Sequence, residues 1–279
     1  MLLKLAQSVY RLTPSRRLRQ LYFDSYAHLV RTRQVAREIR GVRYQLDLGE
    51  MIDLSLYLGR FEPGVVATLE RYCKPGMIAL DVGANIGAHA LRLGKLVGGA
   101  GHVYAFEPTT FAFGRLRRSL ALNPGLPVSI FRNALAEENV AARSISFRAS
   151  WRTDGTHEDT SCEVEFLRLD DWACREGIER VDLVKLDVDG NEYGVLAGGR
   201  QLLERSRPVL IMELVGPHFA QAERNPFALL EGIGYRFSNI DTGAAYVNVA
   251  AMSMLIAPND VEMETSINVL AIPNPGVDS

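Results

Sequence analysis

The feature that most constrains the fold is a glycine-rich turn between an apolar segment and an amphipathic one. Residues 77–82 form the apolar segment, and the turn over residues 81–87 reads Asp-Val-Gly-Ala-Asn-Ile-Gly. Small residues there let the chain turn sharply and bring its backbone close to a ligand at the start of the next helix. This order predicts a cofactor site that includes Asp81, Gly83, Ala84, Asn85 and Gly87.

Apolar runs continue to alternate with helical patterns beyond that turn. Predicted strands cover residues 77–82, 102–106, 128–133, 181–187, 208–213, 235–239 and 251–257. Predicted helices between them cover residues 87–97, 111–122, 190–204 and 224–232. This alternation predicts an α/β fold with a mainly parallel seven-stranded sheet and helices on both faces.

The remaining segments suggest a division into regions. We expect a basic N-terminal helical extension over residues 1–50, with helices over 2–40 broken at Thr13-Pro14 and a short strand over 42–48. A helical lead-in follows over residues 51–75, then the main domain over 76–260 and a C-terminal tail over 261–279. Within the main domain, residues 143–167 have strand-like ends around a polar centre, which predicts an inserted β-hairpin with a mobile tip.

Charge is distributed unevenly along the chain. Residues 1–43 carry ten Lys or Arg against two acids, so this arm is +8 and the remainder is −10 within a total of −2. The arm could lie on an anionic membrane surface, it could pack on a partner, or it could be a helical lid with a solvated basic face. Because the main domain is acidic and the arm has no recognition motif, we expect no nucleic-acid substrate.

The cysteines and the hydropathy indicate a reducing, cytoplasmic setting. Cys73, Cys162 and Cys174 show neither close pairing nor a metal-ligand spacing with histidine. No stretch approaches the roughly 20 uninterrupted apolar residues of a membrane helix, so we expect no transmembrane anchor. The expected location is cytoplasmic, with peripheral membrane contact through the basic arm as an alternative.

The choice of cofactor depends on the turn and on the acids at the strand ends. Glu107 lies twenty residues past Gly87, where a carboxylate can accept ribose hydroxyls. Asn85 replaces the middle glycine that lets a dinucleotide pyrophosphate approach closely. S-adenosylmethionine carries a sulfonium and an ammonium that favour carboxylates, and predicted strands end in Asp81, Glu107, Asp187 and Glu213. These features favour S-adenosylmethionine over NAD.

Each of these residues also has a purely structural interpretation. Asp81 could cap the following helix, and Glu107 could be a solvated loop acid before Pro108. Asn133, which ends the third strand, could be a turn residue or could contact adenine together with Ala134. The joint spacing of the acids favours the cofactor interpretation.

A second motif places three acids where a buried strand meets a helix. Residues 182–192 read Asp-Leu-Val-Lys-Leu-Asp-Val-Asp-Gly-Asn-Glu. Asp189 and Glu192 have the spacing of a capping box, whereas Asp187 has no such structural role. With the turn at 81–87 and Glu107-Pro108, this motif resembles the FkbM family of methyltransferases over roughly residues 42–240. Asp189 departs from the glutamate usual in the family.

The resemblance implies a Rossmann-like class I methyltransferase that uses S-adenosylmethionine. It further implies an oxygen acceptor, usually a sugar hydroxyl in a glycan, glycolipid or secondary metabolite. Methyl transfer is an in-line displacement, so a carboxylate or histidine near the acceptor suffices as a base. Asp187 is our first candidate, with Glu192 and Glu213 orienting the acceptor or tuning the proton affinity of Asp187 through like-charge proximity. Reserve bases are His218, His89 and His157. Of these His218 is preferred, and His89 is expected to be a packing residue on the first helix of the main domain.

Three alternatives remain open from the sequence. Asp187, Asp189, Glu192 and Glu213 could together ligate a divalent metal, although nothing in the sequence requires one. The chain could also be a non-catalytic scaffold that keeps the fold, or an NAD-dependent oxidoreductase. The acceptor, the methylated position and the oligomeric state are not readable from the sequence.

Overall fold

The computed structural model describes residues 25–30, 32–148, 152–153, 159–215, 224–246 and 266–274. Residues 25–30 are helical. The later helices are α1 Met51–Leu58, α2 Pro63–Tyr72, α3 Ala88–Val97, α4 Thr110–Ala121, α5 Leu169–Arg175, α6 Glu192–Gly198, α7 Arg200–Ser206 and α8 Pro226–Gly232. The strands are β1 Gln34–Ile39, β2 Val42–Asp47, β3 Ile78–Val82, β4 His102–Phe106, β5 Val128–Phe131, β6 Asn133–Ala136, β7 Val140–Arg148, β8 Asp159–Arg168, β9 Leu183–Leu186, β10 Val209–Val215, β11 Tyr235–Asn239, β12 Ala245–Tyr246 and β13 Ser266–Pro273.

A single large sheet forms the centre of the fold, in the order β12-β11-β13-β10-β9-β3-β4-β5. The five strands from β10 to β5 in that order are mutually parallel. The α/β class and the mainly parallel sheet are confirmed, and the two-residue β12 adds an eighth strand at one edge. The strand order reverses between β3 and β9, and such a switch point opens a ligand crevice at the carboxyl ends of the strands.

Two buried hydrophobic clusters pack the sheet, as expected for helices on both faces. Consecutive β3 residues face opposite sides, because Ala79 belongs to one cluster and Leu80 to the other. Trp172 of α5 is 1% exposed and makes edge contacts with the rings of Phe106 and Phe131. These rings stabilise β4 and β5 beneath the crevice.

The predicted helix over residues 2–40 is wrong for its last part, which forms β1. Strands β1 and β2 are antiparallel, and Ile39 pairs with Val42 across the two-residue turn Arg40-Gly41. Both turn residues have positive φ, 52° and 79°, which suits the twist of a tight hairpin. Backbone pairing with β2, which has a buried apolar face, overrides the weak local helical pattern. The part of the helical prediction before residue 25 lies outside the described residues.

The predicted tail over residues 261–279 is also wrong, because β13 lies inside the large sheet. It is antiparallel to β10 on one side and to β11 on the other. Its residues Val269 and Ala271 are fully buried, so the fold needs this strand to fill the sheet. The strand predicted over residues 251–257 lies outside the described residues.

The inserted hairpin consists of β7 and β8, and β6 pairs with β8 to give a three-stranded sheet. Arg152 forms an isolated antiparallel bridge with Glu50, and the Thr153 amide donates to the Gly49 carbonyl at 2.8 Å. The hairpin therefore contacts the loop that precedes α1. Its predicted mobile tip falls mostly outside the described residues. Within the parts of the chain described, no helix has the length and apolarity to cross a membrane.

Candidate active site

The turn after β3 is held by contacts that only a small residue permits. Gly83 has φ 83°, and a Cβ placed on it would lie 1.7 Å from the Asp187 carbonyl oxygen. The amides of Gly83 and Ala84 donate to the Phe106 carbonyl at 3.0 and 2.9 Å. The turn is thus hydrogen-bonded to the end of β4 and packed against the end of β9, and its backbone lines the crevice.

Gly87 shapes the start of α3 and does not line the crevice. It is the N-cap residue, with φ 88°, and a Cβ there would lie 2.4 Å from Leu116 Cδ1. Its role is to let α3 start close to α4. The sequence prediction placed Gly87 among the cofactor-binding residues, whereas the structure shows a packing reason for it.

Glu107 lies at the end of β4 and is only 5% exposed. Its Oε2 accepts from the Asn85 amide at 2.9 Å, and its Oε1 accepts from the amide and hydroxyl of Thr109 at 2.9 and 2.6 Å. Burial raises the pKa of this carboxyl, while the hydrogen bonds from Thr109 and Asn85 oppose that rise. The carboxylate is therefore fixed in position on the crevice wall.

A cavity of about 1130 Å³, hereafter the large cavity, occupies the crevice. Nine predicted site residues line it: Gly83, Ala84, Asn85, Glu107, Pro108, Asn133, Ala134, Asp187 and Glu213. Asn133 is oriented by a hydrogen bond from its Nδ2 to Glu165 Oε2 at 2.8 Å. Asp81, Gly87 and Glu192 lie outside the lining, and His218 and His157 lie outside the described residues.

Lys185 is one residue of this site that sequence reasoning missed. Its side chain is 5% exposed, and its Nζ donates to Asp187 Oδ2 at 2.8 Å and to the Gly83 carbonyl at 3.5 Å. Burial alone would lower the pKa of Lys185, but Asp187, Asp81 and Glu62 together raise it above the ordinary value. A buried ammonium therefore links β9 to the turn after β3.

Asp81 is fully buried beneath the turn rather than exposed to a ligand. Its Oδ1 lies 4.0 Å from Lys185 Nζ, and neither carboxylate oxygen has a hydrogen-bond partner among the described residues. Desolvation raises the pKa of Asp81, and Lys185 opposes that rise. Asp81 does not cap α3, which has no side-chain cap. It acts on the site as a buried charge next to Lys185.

A histidine and a glutamate also line the large cavity. His89 Nε2 and Glu62 Oε2 are 2.7 Å apart, and the His89 ring lies against Phe61 with 5.2 Å between centroids. Burial would raise the pKa of Glu62, but the hydrogen bond and charge of His89, with Lys185, lower it. His89 was expected to be a packing residue, and the structure instead gives it a polar contact at the cavity wall.

The acids after β9 do not form the predicted capping box. Asn191 is the N-cap of α6 and makes no side-chain cap hydrogen bond. Glu192 Oε1 instead accepts from the amides of Val188 and Gly190 at 3.4 and 3.0 Å. Because Glu192 is 2% exposed, it stabilises the loop behind Asp187 rather than reaching the cavity. Asp189 has φ 50° and does line the cavity.

Three carboxylates meet in the large cavity. One oxygen each of Glu62, Asp187 and Glu213 lies within 4.8 Å of the others. This set differs from the predicted metal ligands, because Glu62 takes part while Asp189 and Glu192 do not. The sequence around Phe61-Glu62 did not indicate that Glu62 joins this cluster, because the α1–α2 connection reaches the ends of the strands only in the folded chain.

Comparison with known proteins agrees with this geometry. A family model described as the methyltransferase FkbM domain matches residues 81–237. The chain is 31% identical over 162 residues to the 2-O-methyltransferase NoeI of Sinorhizobium fredii, covering 51% of this chain and 64% of that protein. It is 28% identical over 156 residues to the hexuronic acid methyltransferase AglP of Haloferax volcanii, covering 54% and 62%. The chain thus spans less than two thirds of the length of these relatives.

Proposed function

Because the chain belongs to the FkbM methyltransferase family, we propose that it is an S-adenosylmethionine-dependent O-methyltransferase acting on a sugar hydroxyl of a glycan, glycolipid or secondary metabolite. The observation that carries this proposal is the convergence of Glu107, Asp187 and Glu213 on one cavity beside the turn at Gly83. Relatives named as a 2-O-methyltransferase and a hexuronic acid methyltransferase support a sugar acceptor.

The residues of the large cavity fit S-adenosylmethionine. Glu107 is fixed where it can accept ribose hydroxyls, and Asn133 and Ala134 border the expected adenine position. Among the described lining residues, seven acidic side chains stand against three basic ones, which suits a sulfonium and an ammonium. When bound, the cofactor supplies an activated methyl group.

Asp187 is the group to which we assign the acceptor proton. Lys185 holds its Oδ2 at 2.8 Å, which fixes the orientation of the carboxylate and leaves Oδ1 as the atom assigned to the hydroxyl. The bound cofactor would supply the methyl group to the acceptor oxygen, and Asp187 would accept the proton that this oxygen loses. Glu62 and Glu213 lie close enough to Asp187 to orient neighbouring hydroxyls.

The predicted role of Glu192 changes in this proposal. Its contacts with Val188 and Gly190 make it a positioning residue for the loop that follows Asp187. His218 stays a prediction, because it lies outside the described residues.

A divalent metal is not required by this arrangement. Glu62, Asp187 and Glu213 offer oxygen ligands, but the Lys185 ammonium already supplies a fixed cation to Asp187. We expect full turnover in chelator, with no gain on adding magnesium or manganese. Loss of turnover in chelator, restored by either metal, would assign the three carboxylates to a metal instead.

The basic arm adds a proposal about location. Residues 1–43 carry the charge to bind an anionic membrane surface while the main domain stays in the cytoplasm. Binding to anionic vesicles should weaken when the Lys and Arg of the arm are changed to Gln. Unchanged vesicle binding would remove the membrane role.

Calorimetry and product analysis test the function itself. We expect S-adenosylmethionine and S-adenosylhomocysteine to bind, and NAD not to bind. Incubation with labelled S-adenosylmethionine and glycan and lipid extracts should then label a methylated product. Asp187→Asn should bind the cofactor and lose turnover, while near-normal turnover would move the base elsewhere. Binding of NAD alone would indicate an oxidoreductase, and binding of neither would indicate a scaffold.

A further inference from the structure

A second cavity of about 750 Å³, hereafter the small cavity, lies outside the cofactor crevice. Its walls come from the β1–β2 hairpin, the start of α1, α4 and Arg152 of the inserted hairpin. Glu50 lines the small cavity, while the next two residues, Met51 and Ile52, line the large one. The first turn of α1 is therefore shared between the two cavities.

A buried ion pair supports the wall of the small cavity, with Arg115 in the lining and Asp53 behind it. Arg115 is 8% exposed, and its Nη2 donates to Asp53, which is fully buried. Asp53 is itself fixed, because its Oδ1 accepts from the Asp47 amide at 2.9 Å. The guanidinium of Arg115 is thus held rigidly in the cavity wall, ready to donate without a further ordering cost.

Glu50 is the matching acceptor. It is 6% exposed, and Arg152 Nη1 approaches its Oε1 only to 3.4 Å, at the long end of a hydrogen bond. Burial raises the pKa of Glu50, and Arg115 and Arg152 oppose that rise. The loosely held carboxylate can accept a stronger hydrogen bond from a ligand.

An apolar surface adjoins these charges. Phe111 is 39% exposed and Leu122 is 37% exposed, and both line the small cavity. The Arg115 guanidinium lies 5.7 Å from the centre of the Phe111 ring. An exposed aromatic face beside fixed donors and acceptors is a surface on which an apolar ring face can stack while its edge forms hydrogen bonds.

We propose that the small cavity binds a neutral saccharide ring. Sugar hydroxyls both donate and accept, so they can bind Arg115 and Glu50 together, while the C–H face of the ring packs on Phe111. The lining carries the guanidinium groups of Arg115, Arg118 and Arg152 and the carboxylates of Asp47 and Glu50. Asp53 lies outside the lining and pairs with Arg115, so it offsets the third guanidinium and an anionic ligand gains little net attraction.

Because the small cavity lies next to α1, we assign it a role in binding the acceptor. Resting on the proposed function, the ring in the small cavity is a distal unit of a longer acceptor, and α1 separates it from the unit that is methylated. The small cavity would then select oligosaccharide acceptors over single sugars.

Ligand-observed NMR on the full chain tests the saccharide site without cofactor. The probes are the neutral trisaccharides chitotriose and maltotriose, with inorganic phosphate as competitor. We expect at least one trisaccharide to show saturation transfer, and its affinity to fall about fivefold or more in Phe111→Ala. Leu29→Ala is the matched control, because Leu29 is an exposed apolar residue outside both cavities.

The outcomes separate this proposal from the proposed function. Absence of binding by both trisaccharides, equal binding by Phe111→Ala, or displacement of the sugar by phosphate would each overturn the saccharide site. Calorimetry with S-adenosylmethionine on the same samples reports the cofactor site, and we expect it to be unchanged in Phe111→Ala. Trisaccharide binding without cofactor binding would support the saccharide site while removing the methyltransferase function.

Discussion

The large and small cavities are both lined with charged side chains, but they differ in the balance of charge. In the large cavity the acids outnumber the bases, and Lys185 is buried among Asp187, Asp81 and Glu62. In the small cavity three guanidinium groups stand against two carboxylates, and Asp53 behind the lining pairs with Arg115 and offsets the third guanidinium. We infer that a surplus of negative charge, rather than the presence of charge, distinguishes the site proposed for a cationic ligand from the site proposed for a neutral polar ligand.

The backbones of the two sites differ as well. The large cavity depends on residues with positive φ at Gly83, Asn85 and Asp189, which lie where strands end. The small cavity is built mainly from side chains on α4 and the β1–β2 hairpin, with Glu50 and Arg152. A backbone change should therefore damage the large cavity most, whereas the small cavity should respond to side-chain changes.

The largest effect is expected for Gly83→Ala. The new Cβ would lie 1.7 Å from the Asp187 carbonyl oxygen, at a φ of 83° that disfavours any side chain. We expect calorimetry to show no binding of S-adenosylmethionine. Gly99→Ala is the control, because a Cβ there meets nothing within 4 Å and should leave binding intact. Wild-type affinity in Gly83→Ala would show that the turn does not form the cofactor site.

Lys185→Met should be the next most damaging change. It removes the ammonium between buried carboxylates, and breaking a buried ion pair from one side costs about 3–5 kcal/mol. We expect that loss in urea unfolding. The pKa of Asp81 should rise further, because Lys185 no longer opposes the effect of its burial, so cofactor binding should weaken at a higher pH than in the wild type. Arg200→Met, from the exposed Arg200–Glu204 pair, should change stability by less than about 0.5 kcal/mol. Equal effects in the two variants would contradict the buried role of Lys185.

Glu107→Gln should have a smaller effect, confined to the large cavity. Replacing a charged acceptor by a neutral one of the same shape should weaken cofactor binding about 10- to 100-fold, equivalent to about 1.4–2.8 kcal/mol. Titration calorimetry measures this, with Glu204→Gln as an exposed control. Trisaccharide binding in the small cavity should not change. A parallel loss at both cavities would indicate a general loss of folding rather than a local one.

The smallest expected effect is a pH dependence of stability without cofactor. Burial is the largest cause of a raised pKa in five carboxyl groups around the two cavities: Glu50, Asp53, Asp81, Glu107 and Glu192. Above the ordinary carboxyl pKa of about 4, the folded chain keeps protons that the unfolded chain has lost. Stability should therefore fall as pH rises from about 4 through the raised pKa values.

Urea unfolding at a series of pH values from about 4 to 7 measures this slope. The pKa values of Glu62 and Glu70 are lowered in the folded chain. The stability that these two groups contribute is lost as pH falls, which opposes the trend. Glu107→Gln should show a shallower fall than the wild type, since it removes one raised group. A steady rise in stability over the same range would contradict the burial of these charges.

Much of the proposed cofactor site was predictable because its signals are local. The turn over residues 81–87 needs small residues and positive φ, and Glu107 follows at the end of the next strand. The structure places Gly83, Ala84, Asn85 and Glu107 together on the cavity wall as expected. The predicted strands from residue 77 to 213 also formed, because buried parallel strands have apolar runs that are distinctive by themselves.

Other features failed because their cause lies outside their own segment. β1 and β13 have weak local patterns, and each forms because a neighbouring strand supplies hydrogen bonds and a buried face. Glu192 has the spacing of a capping box, yet its burial directs the carboxylate to the loop amides. Spacing along a helix could not reveal which way that side chain turns.

The sequence by itself determined the α/β order, the turn at Gly83 and the acid at Glu107, because strand, turn and helix preferences act over a few residues. Only the tertiary structure decided that Lys185, Glu62 and His89 join Asp187 at the large cavity, and that Glu50 and Arg115 face a separate one. Burial and charge pairing depend on which distant segments meet, so these contacts exist only once the sheet, α1 and α4 have packed together.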